Sequence, residues 1–299
     1  MTASVLIAAV TIAFPREGQR FGPLDRCYLI GATDGGETNI TVAGRNVPVY
    51  RTGAWGVLVD VTPGTNSVSA GGVVRTFFVE PRRPAAPGAA KAPGKKYEKL
   101  PYAGDEPKEH PKGRAPGEIT IVIDPGHGAK DTGAVSPHGW FEKDANLMLA
   151  KEVRSALVSR GYKVVMTRED DSFPELYDRP KAAYACNADA FVSIHHNAPP
   201  HDRDPLKLRY HCVYAWNPLG ERLAKAINAR MAKSFGASLA NNGVMHANFA
   251  VTRNPEIPSC LVETDFVSSP AGEESIWDPA RRRATAEAIA AGIADWCGG

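Results

Sequence analysis

The stretch 81–116, PRRPAAPGAAKAPGKKYEKLPYAGDEPKEHPKGRAP, divides the chain into two unlike parts. Proline fixes φ and withdraws a backbone donor. A segment this rich in proline, glycine, alanine and charge therefore offers neither a strand ladder nor an amphipathic helix face. It reads as a linker, semi-extended where proline is dense and able to lie along a domain surface. Whatever folds must fold within 1–80 and within 117–299. A chain of 299 residues has room for both, because one domain takes roughly 100–200 residues.

Residues 1–80 read as all-β. In VYRTGAWGVLVDVTPGTNSVSAGGVVRTFFV, β-branched and aromatic runs are broken by Gly, Pro and Asn turn signals, the spacing of a small sandwich. The pieces from Asn39 to Ala70 resemble immunoglobulin-like modules appended to bacterial surface and envelope enzymes. Trp55 beside Tyr50 is no aromatic platform for sugar, so the module reads as a spacer or as a contact for an envelope partner. The apolar run Val5–Phe14 is too short to span a bilayer. No lysine or arginine precedes it and no clear small-residue cleavage site follows, so it reads as a first strand, with a signal peptide as the lesser alternative.

From Glu118 the texture alternates. EITIVID is a short apolar run suited to a buried parallel strand. FEKDANLMLAKEVRSALVSRG places Ala145, Leu149, Val153 and Leu157 at helical spacing, with Gly161 suited to the position just past the end. YKVVMTR, DAFVSIHHN, LRYHCVYAW and SCLVETDF follow as strands. RPKAAYACNA, PLGERLAKAINARMAKSF and DPARRRATAEAIAAGIADW follow as helices. The expected fold class is an α/β domain, its mostly parallel sheet flanked by helices, preceded by the small all-β domain.

Five scattered cysteines without a CxxC pair argue against both a disulfide framework and a thiolate metal site. Cys212 and Cys260 lie in apolar runs and read as buried structural thiols. A formal net charge of +2 gives no reason to expect nucleic acid as a partner, and no segment is long and apolar enough for a membrane span.

In a parallel sheet, ligands gather at the carboxyl ends of the strands. Asp124 and His127 follow the first strand of the second domain. His195, His196 and Asn197 end the third, and Glu263 and Asp265 end the fifth, while Glu142 opens the first long helix. A catalytic zinc site takes three N/O ligands from separated segments and leaves one position open, so these residues could form one. Strand alternation sends His195 and His196 to opposite faces without saying which joins the cluster. Glu142 could equally be a helix-dipole carboxylate, with Asp144 as local competitor. Glu263 could be a structural ion pair with Arg253.

The segment from about Glu118 to Trp296 resembles the zinc-dependent N-acetylmuramoyl-L-alanine amidases of the Amidase_3 family. It does so through IVIDPGHGAKDTGA, FEKDANL, VVMTREDD, FVSIHHNA, PSCLVETDFVSSP and AEAIAAGIADW, in that order. The resemblance implies one zinc ion on His127, Glu142 and His195, with Glu263 as catalytic general base and acid. It implies peptidoglycan as substrate, cut between N-acetylmuramic acid and L-alanine, and an exported enzyme of the periplasm or cell envelope. Asp124 and Asn197 are expected to orient the ligands. His196 keeps three readings: packing under the site, touching substrate, or a core histidine with its own partner. Arg168 and Arg179 are expected to pair with nearby acids, and Asp170, Asp171 and Asp178 to form a solvated face. Ala129, Asp265 and Ser269 depart from residues frequent in the family, and Asp265 is expected to alter charge near the site. Some members carry an inserted helix that blocks the zinc. No such segment stands out between His195 and Glu263, which implies an open site. Two rival readings remain: a non-catalytic peptidoglycan-binding module, and a zinc peptidase or deacetylase acting on another envelope polymer.

Overall fold

A computed structural model describes residues 9–34, 36–82, 111–254 and 256–298. The start of the Val5–Phe14 run and most of the expected linker lie outside the described residues. Eight strands come first: β1 (Val10–Phe14), β2 (Gln19–Phe21), β3 (Arg26–Thr33), β4 (Asn39–Val42), β5 (Arg45–Pro48), β6 (Ala54–Asp60), β7 (Gly64–Ala70) and β8 (Val73–Val79). They form a three-stranded sheet, β1-β3-β6, and a five-stranded sheet, β2-β8-β7-β4-β5. Alternate residues of the two sheets, among them Ile12, Leu29, Val42, Val59, Phe77 and Val79, enclose one apolar cluster. Trp55 is fully buried within it, which removes it as a sugar platform.

The remainder is α/β. Its elements are β9 (Thr120–Pro125), α1 (Glu142–Val158), β10 (Lys163–Met166), α2 (Arg179–Ala185), β11 (Ala190–Asn197), β12 (Tyr210–Ala215), α3 (Pro218–Phe235), β13 (Ala240–His246), β14 (Ser259–Phe266), α4 (Pro270–Trp277) and α5 (Pro279–Gly298). The sheet order is β10-β9-β11-β14-β12-β13. Every neighbouring pair is parallel except β12 with β14, so the sheet is mixed rather than uniformly parallel. β13 and α4 are additions to the elements expected. β13 carries Asn-Asn-Gly and no buried residue, so it has no apolar run to betray it. α1 ends with the Gly161 N–H on Val158 O and the Tyr162 N–H on Leu157 O, with Gly161 at φ +88°, the Schellman arrangement that its glycine suggested.

Register decides what each face of this sheet can do. Ile121 and Ile123 of β9, Val192 and Ile194 of β11, and Cys260 and Val262 of β14 point to one side. There α1, α3 and α5 supply Leu149, Val153, Ile227, Ile289 and Ile293. The intervening residues face the other side: Val122 with Asp124, Phe191 with Ser193 and His195, Leu261 with Glu263. Apolar side chains fill that face near the strand starts, where Ala183 of α2 and Val251 cover it. Polar ones occupy its carboxyl end. Cys212 and Cys260 are buried free thiols.

The two parts touch directly. Val135 and Phe141, from the loop ahead of α1, pack into the apolar cluster of the N-terminal sheets. The Tyr28 N–H donates to His201 O, and the His201 ring stacks on Phe14.

Candidate metal centre

Parallel strands in register present equivalent residues on the same face. The pairing of His195 with Glu263 across β11 and β14 therefore puts both side chains over α2's side of the sheet. His196 turns the other way. It is buried, and its Nδ1 lies 2.7 Å from Oδ1 of Asn146 on α1. Burial pulls the imidazole down to about 4, so it stays neutral; of its three readings, the core histidine with a partner is the one the structure shows.

Nδ1 of His195 lies 3.0 Å from Oε1 of Glu142, and Nε2 of His127 lies 3.1 Å from the same oxygen. Candidate ligand atoms of these three residues all fall within 4.8 Å of one another. Glu142 is buried, whereas Asp144 faces solvent, so geometry separates the two carboxylates that helix position alone could not. Oε2 of Glu142 accepts the Ala134 N–H at 2.9 Å, which ties the carboxylate to the loop preceding its own helix.

His127 is delivered by a strained turn. It has φ +62°, and Ala129 two residues later has φ +42°. A left-handed alanine costs roughly 1–2 kcal/mol, and the turn around it is tied at several points. Arg168 donates to the carbonyls of Pro125, Gly126, Lys143 and Asp170 at 2.8–2.9 Å. Arg179 donates to Asp124 Oδ1 at 3.0 Å and to the His127 carbonyl at 2.8 Å. Asp171 accepts the Ala129 N–H at 2.8 Å and the Lys143 ammonium at 2.6 Å. Two expectations change here. Arg168 clamps carbonyls rather than acids, and Asp171 is a fastening of the loop as well as a surface acid. Glycine is required at two points. A Cβ on Gly126 would sit 2.1 Å from Nε2 of His195, and one on Gly133 would sit 2.5 Å from Oε2 of Glu142.

The orienting carboxylate of His127 is Asp131, whose Oδ2 lies 2.8 Å from Nδ1. Asp124, expected in that role, is instead fully buried between Arg179, Thr167 and Ser193 and acts on the loop through Arg179. Asn197 turns its Oδ1 to the Ala198 N–H at 2.9 Å and lines the cavity wall. The signal for Asp131 was an acid four residues past the histidine in HGAKD, close enough for a tight turn to bring it back.

Burial alone would lower His127, but the hydrogen bonds and charges of Glu142 and Asp131 outweigh it and lift the imidazole to about 9. Burial would raise Glu142, and the two histidines outweigh that in turn, holding it well below the usual carboxylate range. The pocket thus favours a cation. Glu263 behaves oppositely. Burial, with the Glu142 charge nearby, pushes its carboxyl well above the usual range. Its Oε2 is sealed from solvent and has no hydrogen-bond partner among the described residues. Arg253 does not reach it and is bonded to Asn248 instead.

Asp265 is not in the site. β14 carries a bulge at this point, since Asn197 pairs with Phe266 while His195 pairs with Glu263. Asp265 turns away into a bidentate pair with Arg209, at 2.8 and 2.6 Å. Its expected influence on site charge therefore fails. Ser269 sits at the N-cap of α4 without a side-chain cap bond.

The cavity over the cluster holds 490 Å³ and is walled by Phe173, Leu176 and Phe249 besides the polar residues. No helix among the described residues enters it. Among the described residues between the end of β11 and the start of β14, its wall takes Ala198, Phe249 and the single turn Ala250–Thr252.

A mixed α/β sheet with a His-Glu-His cluster at its carboxyl edge defines a candidate metallohydrolase centre. Residues 121–295 match the family model described as N-acetylmuramoyl-L-alanine amidase, and the chain belongs to this family, Amidase_3. It is 36% identical over 176 residues to a probable cell wall amidase LytH of Staphylococcus epidermidis, covering 58% of this chain and 57% of that protein. It is 32% identical over 232 residues to the N-acetylmuramoyl-L-alanine amidase AmiC of Neisseria meningitidis, covering 63% of this chain and 54% of that one. The chain thus spans about half the length of these curated relatives. Among solved structures, the amidase AmiC2 of Nostoc punctiforme superposes with TM-score 0.56 at 36% identity, covering 60% of this chain and 97% of that chain. The catalytic domain of CwlV from Bacillus (Paenibacillus) polymyxa var. colistinus gives TM-score 0.55 at 33% identity, covering 60% and 97%.

Proposed function

We propose that the chain hydrolyses the amide bond between N-acetylmuramic acid and L-alanine in peptidoglycan. The observation that carries this reading is the convergence of His127, Glu142 and His195 beneath an open cavity whose lining also includes Glu263. The donor set fits zinc: two imidazole nitrogens and one carboxylate from separate segments, with room on the cavity side. Bound there, zinc would supply Lewis acidity, lowering the pKa of a water and polarising the scissile carbonyl.

The chain's own residues do the rest. Asp131 fixes the His127 ring through Nδ1, so that Nε2 faces Glu142. Gly126 lets the His195 ring seat against the backbone. Glu263 takes the proton of the attacking water and delivers it to the L-alanine nitrogen as that leaves. Burial, with the Glu142 charge nearby, raises this carboxyl above the usual range, which favours its holding the proton between the two transfers. The apolar wall of Phe173, Leu176 and Phe249 limits bulk water around the reacting bond.

The reading extends to an exported enzyme working at the cell envelope, where its polymer lies; the relative named as a cell wall amidase supports this. It also takes residues 1–80 as an immunoglobulin-like module and 117–299 as the catalytic domain, supported by the two β-sheets around one core and by the family match. The variant Glu263→Gln tests the assignment. It should retain zinc by elemental analysis and lose hydrolysis of purified sacculi. Wild-type turnover in that variant would refute the role of Glu263. A peptidase or deacetylase would be recognised by the masses of the released fragments.

A further inference from the structure

A second cavity, of 620 Å³, lies where the N-terminal sheets meet the catalytic part. One wall is Thr132–Val135 with Ala198 and Pro199. The other is Phe14, Arg16–Gln19 and Tyr28, with His201 between them. It adjoins the metal centre. Ala198 lines both cavities, Thr132 follows Asp131, and Gly133 lies against Glu142. A substrate longer than the first cavity runs naturally into the second.

The charge at this junction is supplied by the N-terminal sheets. The Arg16 guanidinium donates to Thr132 Oγ1 at 3.0 Å and lies 5.8 Å from the Phe141 ring centroid. Among the described residues no carboxylate stands within ion-pair distance of it. The neighbouring Glu17 is engaged elsewhere, accepting the Thr76 N–H at 3.1 Å and lying 3.5 Å from Arg75. Arg16 is therefore an exposed cation at the mouth of a polar groove, positioned by contacts to Thr132 and Phe141 on either side of the metal-site loop. The first cavity sets the His-Glu-His cluster against the apolar wall of Phe173, Leu176 and Phe249, whereas the second lines its N-terminal side with Arg16, Glu17 and Gln19 and its opposite side with Thr132.

We infer that this junction groove binds the peptide arm of the substrate, with Arg16 receiving a stem-peptide carboxylate. The inference rests on the amidase reading. A glycan strand offers hydroxyl and acetamido groups without obligatory charge, whereas a stem peptide carries carboxylates that a guanidinium fork fits. The N-terminal sheets then form half of a binding subsite and are more than a spacer.

The test uses the whole chain and two ligand sets: muropeptides with free stem carboxylates, and the same molecules with those carboxylates amidated. Binding is read by fluorescence anisotropy in a Glu263→Gln background, and turnover separately in the otherwise native enzyme. The free-acid ligand should bind about ten-fold more tightly than the amidated one, the scale of one exposed charge-assisted contact. Arg16→Ala should bring that ratio close to one, and Arg16→Lys should restore part of it. An unchanged ratio in Arg16→Ala would overturn the inference, even with turnover intact, and would leave the amidase reading standing. Arg16-dependent binding without turnover in the native enzyme would support the groove and sink the amidase reading.

Discussion

Glu263 shows how much of a residue's chemistry lies in its surroundings. Its position after Cys-Leu-Val on a buried strand marked it as costly. The sequence could not exclude an ion pair with Arg253; the structure does, because Arg253 is spent on Asn248. His195 and His196 make the same point. Alternation separated them, and only the register with Glu263 shows which one faces the cavity. Ala129 yields a prediction at this scale. Its φ of +42° is a conformation that glycine adopts without penalty. Ala129→Gly should therefore raise stability by about 0.5–1 kcal/mol, read as a Tm increase of roughly 2–4 °C. A lower Tm would mean that the Arg168 and Asp171 bonds leave no strain to relieve.

At the level of elements, the bulge in β14 matters most. It sends Asp265 into a pair with Arg209 instead of toward the metal centre. Asp265→Gly should destabilise the fold by about 2 kcal/mol, because it leaves a half-buried guanidinium without its acid. The pH profile of hydrolysis should stay where it was. A shifted profile with unchanged stability would place Asp265 back in the site. Strands and long helices were legible because apolar runs and 3.6-residue spacing report directly on burial. β13 was not, since Ala240–His246 buries no side chain, and the bulge was not, since no single residue encodes it. The loop ahead of α1 adds another prediction. Val135 and Phe141 anchor in the N-terminal core while Gly133, Ala134 and Glu142 meet at the metal centre. Phe141→Ala should weaken zinc retention against a chelator about ten-fold, the effect of losing a supporting contact behind a ligand. Unchanged retention would show that α1 alone positions Glu142.

For the molecule as a whole, acid should act through a buried histidine that is not part of the His-Glu-His cluster. His211 on β12 is fully buried, and neither ring nitrogen has a hydrogen-bond partner among the described residues. Burial lowers it from 6.5 to about 4. The unfolded chain therefore binds the proton first as pH falls. The contribution is intact above 6.5 and is lost progressively between 6.5 and 4, at about 1.4 kcal/mol per pH unit. Tm measured against pH should fall across that window, and His211→Phe should flatten part of the slope. An identical slope in the variant would assign the acid sensitivity to other groups.

Composition suggested a partition of the chain, and strand ends together with family resemblance pointed to the cluster. The contact between the two parts was not readable. Val135, Phe141, Arg16 and His201 are unremarkable in sequence and acquire meaning only where the sheets meet. The most direct measurement is digestion of defined muropeptides, untreated, treated with chelator, and resupplied with zinc, with every fragment weighed by mass spectrometry. The expected result is intact N-acetylmuramic acid and stem peptide with a free L-alanine amine, abolished by chelation and restored by zinc. Cleavage within the glycan or within the peptide, or release that persists after the metal is stripped, would contradict a zinc amidase built on His127, Glu142, His195 and Glu263.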